Sequence, residues 1–285
     1  MKILISVDIE GISGVVNPIE TDTNVNNPAY QKARKWCTDD VNAAIRGAIE
    51  GGADTIVVND SHGSSKLNII YEELHPIASL VRGGPNILLP YDFMTGLDSS
   101  FDAVFLIGWH DKIGGPGILS HSYTSKNFNH IKVNGKSFGE VEFAMRLTGI
   151  FGVPIVLITG DDIICSNTRK ELGKIEIAPV KRMISRFAAE CLSYEEAHNL
   201  IETAAKRAVE RTSRGEFSPF VFGESEFKLE IETHDTAVAQ GIARIPGIEY
   251  DGCRTVSFRA QDFKKIYDMY MAMYFIMKTV ANETY

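Results

Sequence analysis

The stretch that decides the fold is the N-terminal run "ILISVDIEGISG", residues 3–14. Residues 3–7 are Ile, Leu, Ile, Ser and Val, a composition typical of a strand buried on both faces. The strand ends in two acids, Asp8 and Glu10, which are followed at once by Gly11. Two carboxylates this close repel each other and are costly to bury. We therefore expect a compensating group at the end of this strand.

Three later segments repeat the pattern of an apolar strand whose last residues are polar. They are "TIVVNDSH" (55–62), "AVFLIGWH" (103–110) and "PIVLITGDD" (154–162). Continuous apolar strands of this kind are typical of a parallel sheet covered by helices on both faces. Residues 28–50, which follow a capping Asn27, predict one of those helices. The sequence thus predicts an α/β fold, a three-layer α/β/α sandwich with a mainly parallel sheet.

The C-terminal part has a different pattern and predicts a smaller α+β region. "FKLEIET" (227–233) alternates as a half-exposed strand does, and "CRTVSFRA" (253–260) predicts another strand. The final helix has an apolar, Met-rich side that includes Tyr270 and Tyr274, and we expect both tyrosines to be exposed and available to another subunit.

Length and composition limit the kinds of protein this can be. At 285 residues and 44% hydrophobic, the chain can bury a large core, and we divide it into a domain over 1–190 and a smaller one over 191–285. The net charge of −8 gives no basic surface for nucleic acid or an anionic membrane. No apolar stretch approaches the ~20 residues that cross a bilayer, and no signal peptide is recognisable, so we expect a cytoplasmic protein.

Polar side chains collect at the predicted carboxyl ends of the strands, where open α/β sheets bind ligands. They are Asp8, Glu10, Asp60, His62, His110, Asp161 and Asp162. Acids together with histidines indicate a divalent cation, because a cation removes the repulsion between the acids. Oxygen and nitrogen ligands without sulfur favour zinc, then cobalt or manganese. Taken singly, Asp8 is also explained as a cap, "NDSH" (59–62) as a turn and His110 as a buried structural histidine.

Two further candidates come from the segments that follow. "GGPGILSHSYTS" (114–125) predicts an exposed loop carrying His121 between two serines, and an imidazole can move a proton near neutral pH. Farther on, Gly139 precedes a helix that starts with Glu140. Glu140 and Glu142 lie about 200° apart around this helix, so both cannot bind one metal ion, and Glu140 is the better candidate.

Six motifs, taken in order, resemble those of one family. They are "SVDIEGISG" (6–14), "NDSHG" (59–63), "GWH" (108–110), "LSHS" (119–122), "GE" (139–140) and "GVPIVLITGDD" (152–162). They resemble the zinc-dependent D-aminopeptidases of the DppA type, peptidase family M55. The likeness continues more faintly through "APVKRMISR" (178–186) and "CRTVSFRAQDF" (253–263).

The resemblance implies a dinuclear zinc aminopeptidase that releases the N-terminal residue, expected to be a D-amino acid, from short peptides or amino-acid amides. It implies that the metal ligands are Asp8, which contacts both zinc ions, and Glu10, His62, His110 and Glu140. It implies that His121 is the catalytic residue. It also implies a ring-like homo-oligomer, which we expect to be a decamer.

Two other functions remain open at the level of sequence. "VDIEG" (7–11) with "TGDD" (159–162) also resembles the acidic motifs of magnesium-dependent phosphatases of the haloacid-dehalogenase type. In those enzymes the second residue of the first motif pair is Asp, whereas here it is Glu10, and His62 and His110 would have no role. The other alternative is a metal-containing protein that binds peptides without turning them over.

Overall fold

The structure is a computed structural model that describes residues 1–124 and 126–284. Ser125, which ends the predicted loop, and Tyr285, which ends the predicted second domain, lie outside the described residues. The strands are β1 (Lys2–Val7), β2 (Thr55–Asp60), β3 (Ala78–Val81), β4 (Ala103–Trp109), β5 (Phe128–Val133), β6 (Lys136–Ser137), β7 (Ile155–Asp161), β8 (Glu176–Ser185), β9 (Ala188–Cys191), β10 (Phe227–Thr233), β11 (Glu249–Tyr250) and β12 (Thr255–Ala260). The α-helices are α1 (Pro18–Thr21), α2 (Pro28–Glu50), α3 (Glu140–Ile150), α4 (Asp162–Leu172), α5 (Tyr194–Ser213), α6 (Thr236–Ile242) and α7 (Phe263–Thr284). None of the helices in the described ranges has a segment long and apolar enough to cross a membrane.

The larger sheet has seven strands in the order β3-β2-β1-β4-β7-β8-β9. The neighbouring pairs from β3 to β8 are parallel, and β9 runs antiparallel at one edge. β1 lies between β2 and β4, with Val7 opposite Asp60 on one side and Ile107 on the other. The residues that follow β1, β2 and β4 therefore meet at one carboxyl edge of the sheet. The predicted α/β fold with a mainly parallel sheet is confirmed.

Helices α2 and α5 pack closely against each other beside this sheet. The side chain of Asn27 caps α2 by accepting the N–H of Ala29, as the sequence predicts. Gly47, near the end of α2, faces α5, where a Cβ would overlap the carbonyl of Glu202 and lie 2.9 Å from the Cβ of Ala205. Because no side chain fits at Gly47, the two helix backbones approach more closely there than ordinary helix packing permits.

The contacts within the chain divide it into two compact units, each made of several segments. The first consists of Met1–Asp111, Pro116–Leu119 and Leu147–Phe220, and the second of Lys112–Gly115, Ser120–Arg146 and Val221–Tyr285. This division differs from the predicted one, whose boundary between residues 190 and 191 falls within β9, since β9 and α5 both belong to the first unit. The reason is that α5 buries its apolar side against α2 and β8. Its sequence shows an amphipathic helix but not the partner that covers it.

The second unit contains an antiparallel sheet of five strands in the order β11-β12-β10-β5-β6. Helix α7 packs on β10 and β12 of this sheet. Tyr270 and Tyr274 on α7 are only 0% and 7% exposed, and their rings contact Tyr123. The expectation that these tyrosines are exposed is wrong, because α7 directs its apolar side at its own unit.

Candidate metal centre

Asp8 and Glu10 lie on a loop that folds tightly against the end of β4. The N–H of Gly11 donates to the carbonyl of Gly108 at 2.7 Å. A Cβ on Gly11 would lie 2.6 Å from that oxygen, and a Cβ on Gly108, whose φ is +74°, would overlap the carbonyl of Asp8. The two backbones therefore approach more closely than any side chain allows, which requires glycine at both positions.

The two acids face two histidines that follow the neighbouring strands. Nδ1 of His62 lies 3.1 Å from Oδ1 of Asp8 and 3.0 Å from Oε2 of Glu10. Nε2 of His110 lies 3.3 Å from Oδ2 of Asp8. Asp8, Glu10 and His110 each offer a ligand atom within 4.8 Å of the others, and all three are buried. We call these four residues the acid–histidine cluster.

Main-chain carbonyls hold both imidazoles in place. Nε2 of His62 donates to the carbonyl of Thr21 at 2.9 Å, and Nδ1 of His110 donates to the carbonyl of Asp111 at 2.9 Å. These bonds leave Nδ1 of His62 and Nε2 of His110 directed at the acids. A histidine held through one nitrogen while it presents the other is the usual arrangement at metal sites.

Two residues of this cluster, Asp8 and His62, have pKa values that their neighbours shift strongly. Burial would raise the pKa of Asp8, but hydrogen bonds and charges from His110 and His62 hold it well below its usual value. Burial would lower the pKa of His62, but the charges and hydrogen bonds of Glu10 and Asp8 raise it well above its usual value. In the chain by itself, the positive charge of protonated His62 therefore offsets the negative charges of Asp8 and Glu10. A divalent cation would supply that positive charge instead.

In the second unit, Glu140 is the first residue of α3, and its Oε1 accepts the N–H of Tyr123 at 2.6 Å. The ligand atoms of His121 and Glu140 lie within 4.8 Å of each other. Glu142 is engaged elsewhere, since its carboxylate pairs with Lys112 and accepts the N–H of Gly139 at 2.8 Å. Of the two acids at the start of α3, Glu140 is thus the one beside His121.

In the segment that carries His121, residues 117–120 and Ser122 are buried, and of its described residues only Gly114 and Pro116 are exposed. The prediction of an exposed loop is therefore wrong for most of the segment. Ser120 donates to the carbonyl of Gly115 at 2.9 Å, and the hydroxyl of Ser122 accepts the N–H of Ile113 at 3.2 Å. Both serines are buried, while His121 itself is partly exposed. The two serines thus bind the segment to Ile113 and Gly115 at its start. The glycine and proline content of the segment does not reveal these contacts.

The other strand-end acids hold the main chain in place. Oδ2 of Asp60 accepts the N–H of Asn68 at 2.7 Å. Asp161 caps α4 with one oxygen and accepts the N–H of Ile118 with the other at 2.7 Å. These residues lie on the predicted edge of the sheet, but their oxygens are occupied by backbone N–H groups and, at Oδ1 of Asp60, by the side-chain amide of Asn68.

Sequence reasoning missed one buried cation at the loop after Glu10. Lys181 on β8 is only 2% exposed, and its ammonium donates to the carbonyl of Glu10 at 2.6 Å. Burial lowers its pKa to about 8. The sequence did contain a signal, because Lys181 stands in the partly apolar segment "APVKRMIS" (178–185). A lysine is rarely found in a buried strand.

Buried carboxylates and imidazoles at the carboxyl edge of an α/β sheet are the kind of donor set with which metallohydrolases hold a divalent cation. The oxygen and nitrogen donors, without sulfur, fit zinc. The chain belongs to peptidase family M55, since the model of that family, described as D-aminopeptidase, matches residues 1–272. The predicted family and the enzyme class, an aminopeptidase, are confirmed.

Two relatives match nearly the full length of the chain. A D-aminopeptidase of Bacillus subtilis (strain 168) is 31% identical over 274 residues, which is 96% of each chain. A solved structure, the Zn-dependent D-aminopeptidase DppA from Bacillus subtilis, a self-compartmentalizing protease, has a TM-score of 0.90 and 29% identity over 98% of each chain. Because the family is one of peptidases, the phosphatase and the non-catalytic binding protein lose their support.

Proposed function

We propose that the protein is an aminopeptidase that uses two zinc ions per subunit to release an N-terminal D-amino acid from short peptides or amino-acid amides. The observation that carries the proposal is the acid–histidine cluster, in which two buried carboxylates need a positive charge. Family membership supports the peptidase chemistry, and the Zn-dependence of DppA supports zinc. A cytoplasmic location stays a prediction of the sequence.

The ligands that we propose are Asp8, Glu10, His62, His110 and Glu140, with Asp8 contacting both ions. The bridging role of Asp8 is supported by its two oxygens, of which Oδ1 faces His62 and Oδ2 faces His110. Such a carboxylate can serve two cations at once, one on the side of each imidazole. The position of Glu140 at the first turn of α3 suits an acid, because the helix N-terminus stabilises its negative charge.

The residues have distinct proposed tasks during peptide hydrolysis. When bound, zinc supplies Lewis-acid polarisation of the scissile carbonyl and makes water more acidic. His121 moves a proton to the departing amine or stabilises the charge that develops during attack, since an imidazole titrates near neutral pH. Its neighbour Glu140, which has a ligand atom within 4.8 Å of one on His121, is one of the proposed metal ligands, so this position would place the imidazole beside the metal site.

The proposed function predicts metal content and stereochemical preference together. We expect the purified protein to contain about two zinc ions per chain and to cleave D-aminoacyl dipeptides and amides faster than their L-counterparts. Metal analysis by mass spectrometry and a matched panel of D- and L-substrates measure this. A chelator should abolish cleavage, and zinc should restore it, with magnesium as the control. Chelator-resistant cleavage would contradict the metal role, and equal rates on both series would contradict the D-preference.

We further propose a closed homo-oligomer, with a decamer as the expected size. DppA is a self-compartmentalizing protease, and this chain exposes large apolar side chains at the tip of the β8–β9 hairpin, Ile184 and Phe187, and on α7, Phe275. Exposed apolar groups of this size are common where subunits meet. Light scattering is expected to give about ten times the 31.5 kDa of one chain. A monomer throughout the working concentration range would contradict the proposal.

A further inference from the structure

Lys181 places a buried ammonium group beneath the loop that carries Glu10. Its Nζ donates to the carbonyls of Glu10 at 2.6 Å, Ile12 at 3.0 Å and Val15. These bonds match the three N–H donors of the ammonium, and all of them end on one short segment of chain. Residues 10–15 therefore wrap around the head of a single side chain from a strand more than 160 residues away.

A buried acid holds the same loop through a different group. Oδ2 of Asp40, on α2, accepts the N–H of Ser13 at 2.9 Å and its hydroxyl at 3.0 Å. Asp40 is fully buried, and its other carboxylate oxygen lies 3.1 Å from Nε2 of His198. The carbonyls of the loop thus bind a cation, while an N–H and a hydroxyl of the same loop bind an anion.

Packing alone does not account for a lysine at this position. Burying an ammonium is costly, and an apolar side chain would fill the same space in β8 without that cost. The ammonium is compensated by carbonyl groups whose direction is set by the loop, so the loop conformation and the charge depend on each other. Glu10 is the first residue of that loop, and its carboxylate belongs to the acid–histidine cluster.

We propose that Lys181 is a positioning residue for metal binding, which fixes the backbone at Glu10 so that the Glu10 carboxylate stays directed at the cation. This inference rests on the proposed metal site. Without the ammonium, the carbonyls of Glu10, Ile12 and Val15 lose this donor, and Ile12 keeps the N–H of Val15. The loop is expected to turn the carbonyls that lost their donor toward water, which displaces Glu10. Supporting contacts behind metal ligands typically change metal affinity by about 10–100-fold.

The test compares Lys181→Met with Arg182→Met in the full-length chain. Arg182 is the adjacent residue of β8, exposed and paired with Glu190, so its variant removes a cation of the same strand without touching the loop. Zinc affinity is measured on the metal-free proteins by titration against a competing chelator, with circular dichroism as the check on folding. We expect Lys181→Met to bind zinc about 10–100-fold more weakly and Arg182→Met to bind as the unchanged protein does.

The visible absorption spectrum of the cobalt-substituted proteins is a second measurement. It would not change if Lys181 only stabilised the fold. A displaced Glu10 should alter the cobalt spectrum of Lys181→Met and leave that of Arg182→Met unchanged. A folded Lys181→Met with unchanged zinc affinity and spectrum overturns the proposal.

The remaining outcomes are also decisive. If Lys181→Met does not fold, the zinc affinity and the cobalt spectrum are measured on Lys181→Gln instead, since glutamine keeps N–H donors. Unchanged values in that variant overturn the proposal in the same way. If neither variant folds, Lys181 serves stability and the proposal is overturned. If the unchanged protein binds no zinc, the proposed metal site itself fails, and the role of Lys181 fails with it.

Discussion

Replacement of Asp8 by alanine is expected to remove both zinc ions and all peptide hydrolysis. Asp8 directs one oxygen at His62 and the other at His110, so the variant loses a contact on the side of each imidazole. It also leaves Glu10 as the one remaining acid of the acid–histidine cluster. We expect zinc affinity to fall by more than about 100-fold, beyond the range for supporting contacts behind ligands. Metal analysis after dialysis, together with chelator competition, measures the change.

Single histidine variants and another buried acid provide the comparisons. His62→Ala and His110→Ala should each weaken mainly one ion, because each imidazole faces a different oxygen of Asp8. Asp60→Asn is the matched control, since Asp60 is also a buried acid at the end of a central strand but binds the N–H of Asn68. A folded Asp8→Ala protein that still holds two ions would rule out the bridging role.

The sequence predicted the strands and the positions of the cluster well because the signals are local. The apolar run of β1 and the acids directly after it lie within a few residues of each other. The carboxyl ends of neighbouring parallel strands meet by geometry, so His62 and His110 reach Asp8 without any further information. Local composition and one rule of topology were therefore sufficient for that part of the site.

The parts that failed or were missed depend on partners far away in sequence. Lys181 bonds to Glu10 across 171 positions, and no short motif links the two residues. The ring of Tyr123 packs against Tyr270 and helps to cover it. The spacing of residues within α7 shows that the helix has an apolar face, but it does not show which residues cover that face. Tertiary contacts between distant residues therefore override the structure that the sequence of one segment predicts by itself.

Replacement of His121 by alanine is expected to keep both zinc ions and the fold while kcat falls by about 10²–10⁴, the usual range for a positioned acid or base. KM should change less, because the lost interaction is made mainly in the transition state. The serines that flank His121 bind Gly115 and Ile113 through contacts that do not involve the imidazole, so the segment should keep its conformation. Steady-state kinetics on a D-aminoacyl amide, with metal analysis of the same sample, measure both quantities.

His130→Ala is the matched control for His121→Ala, because His130 is an exposed histidine of the same unit, on β5, and should tolerate the change without loss of kcat. The two possible failures have different meanings. Loss of one zinc ion from His121→Ala would make His121 a ligand, in keeping with its place beside Glu140. Near-normal kcat with both ions bound would instead leave proton transfer to an acid, Glu10 or Glu140. The imidazole would then be a neighbour of the site with no part in the reaction.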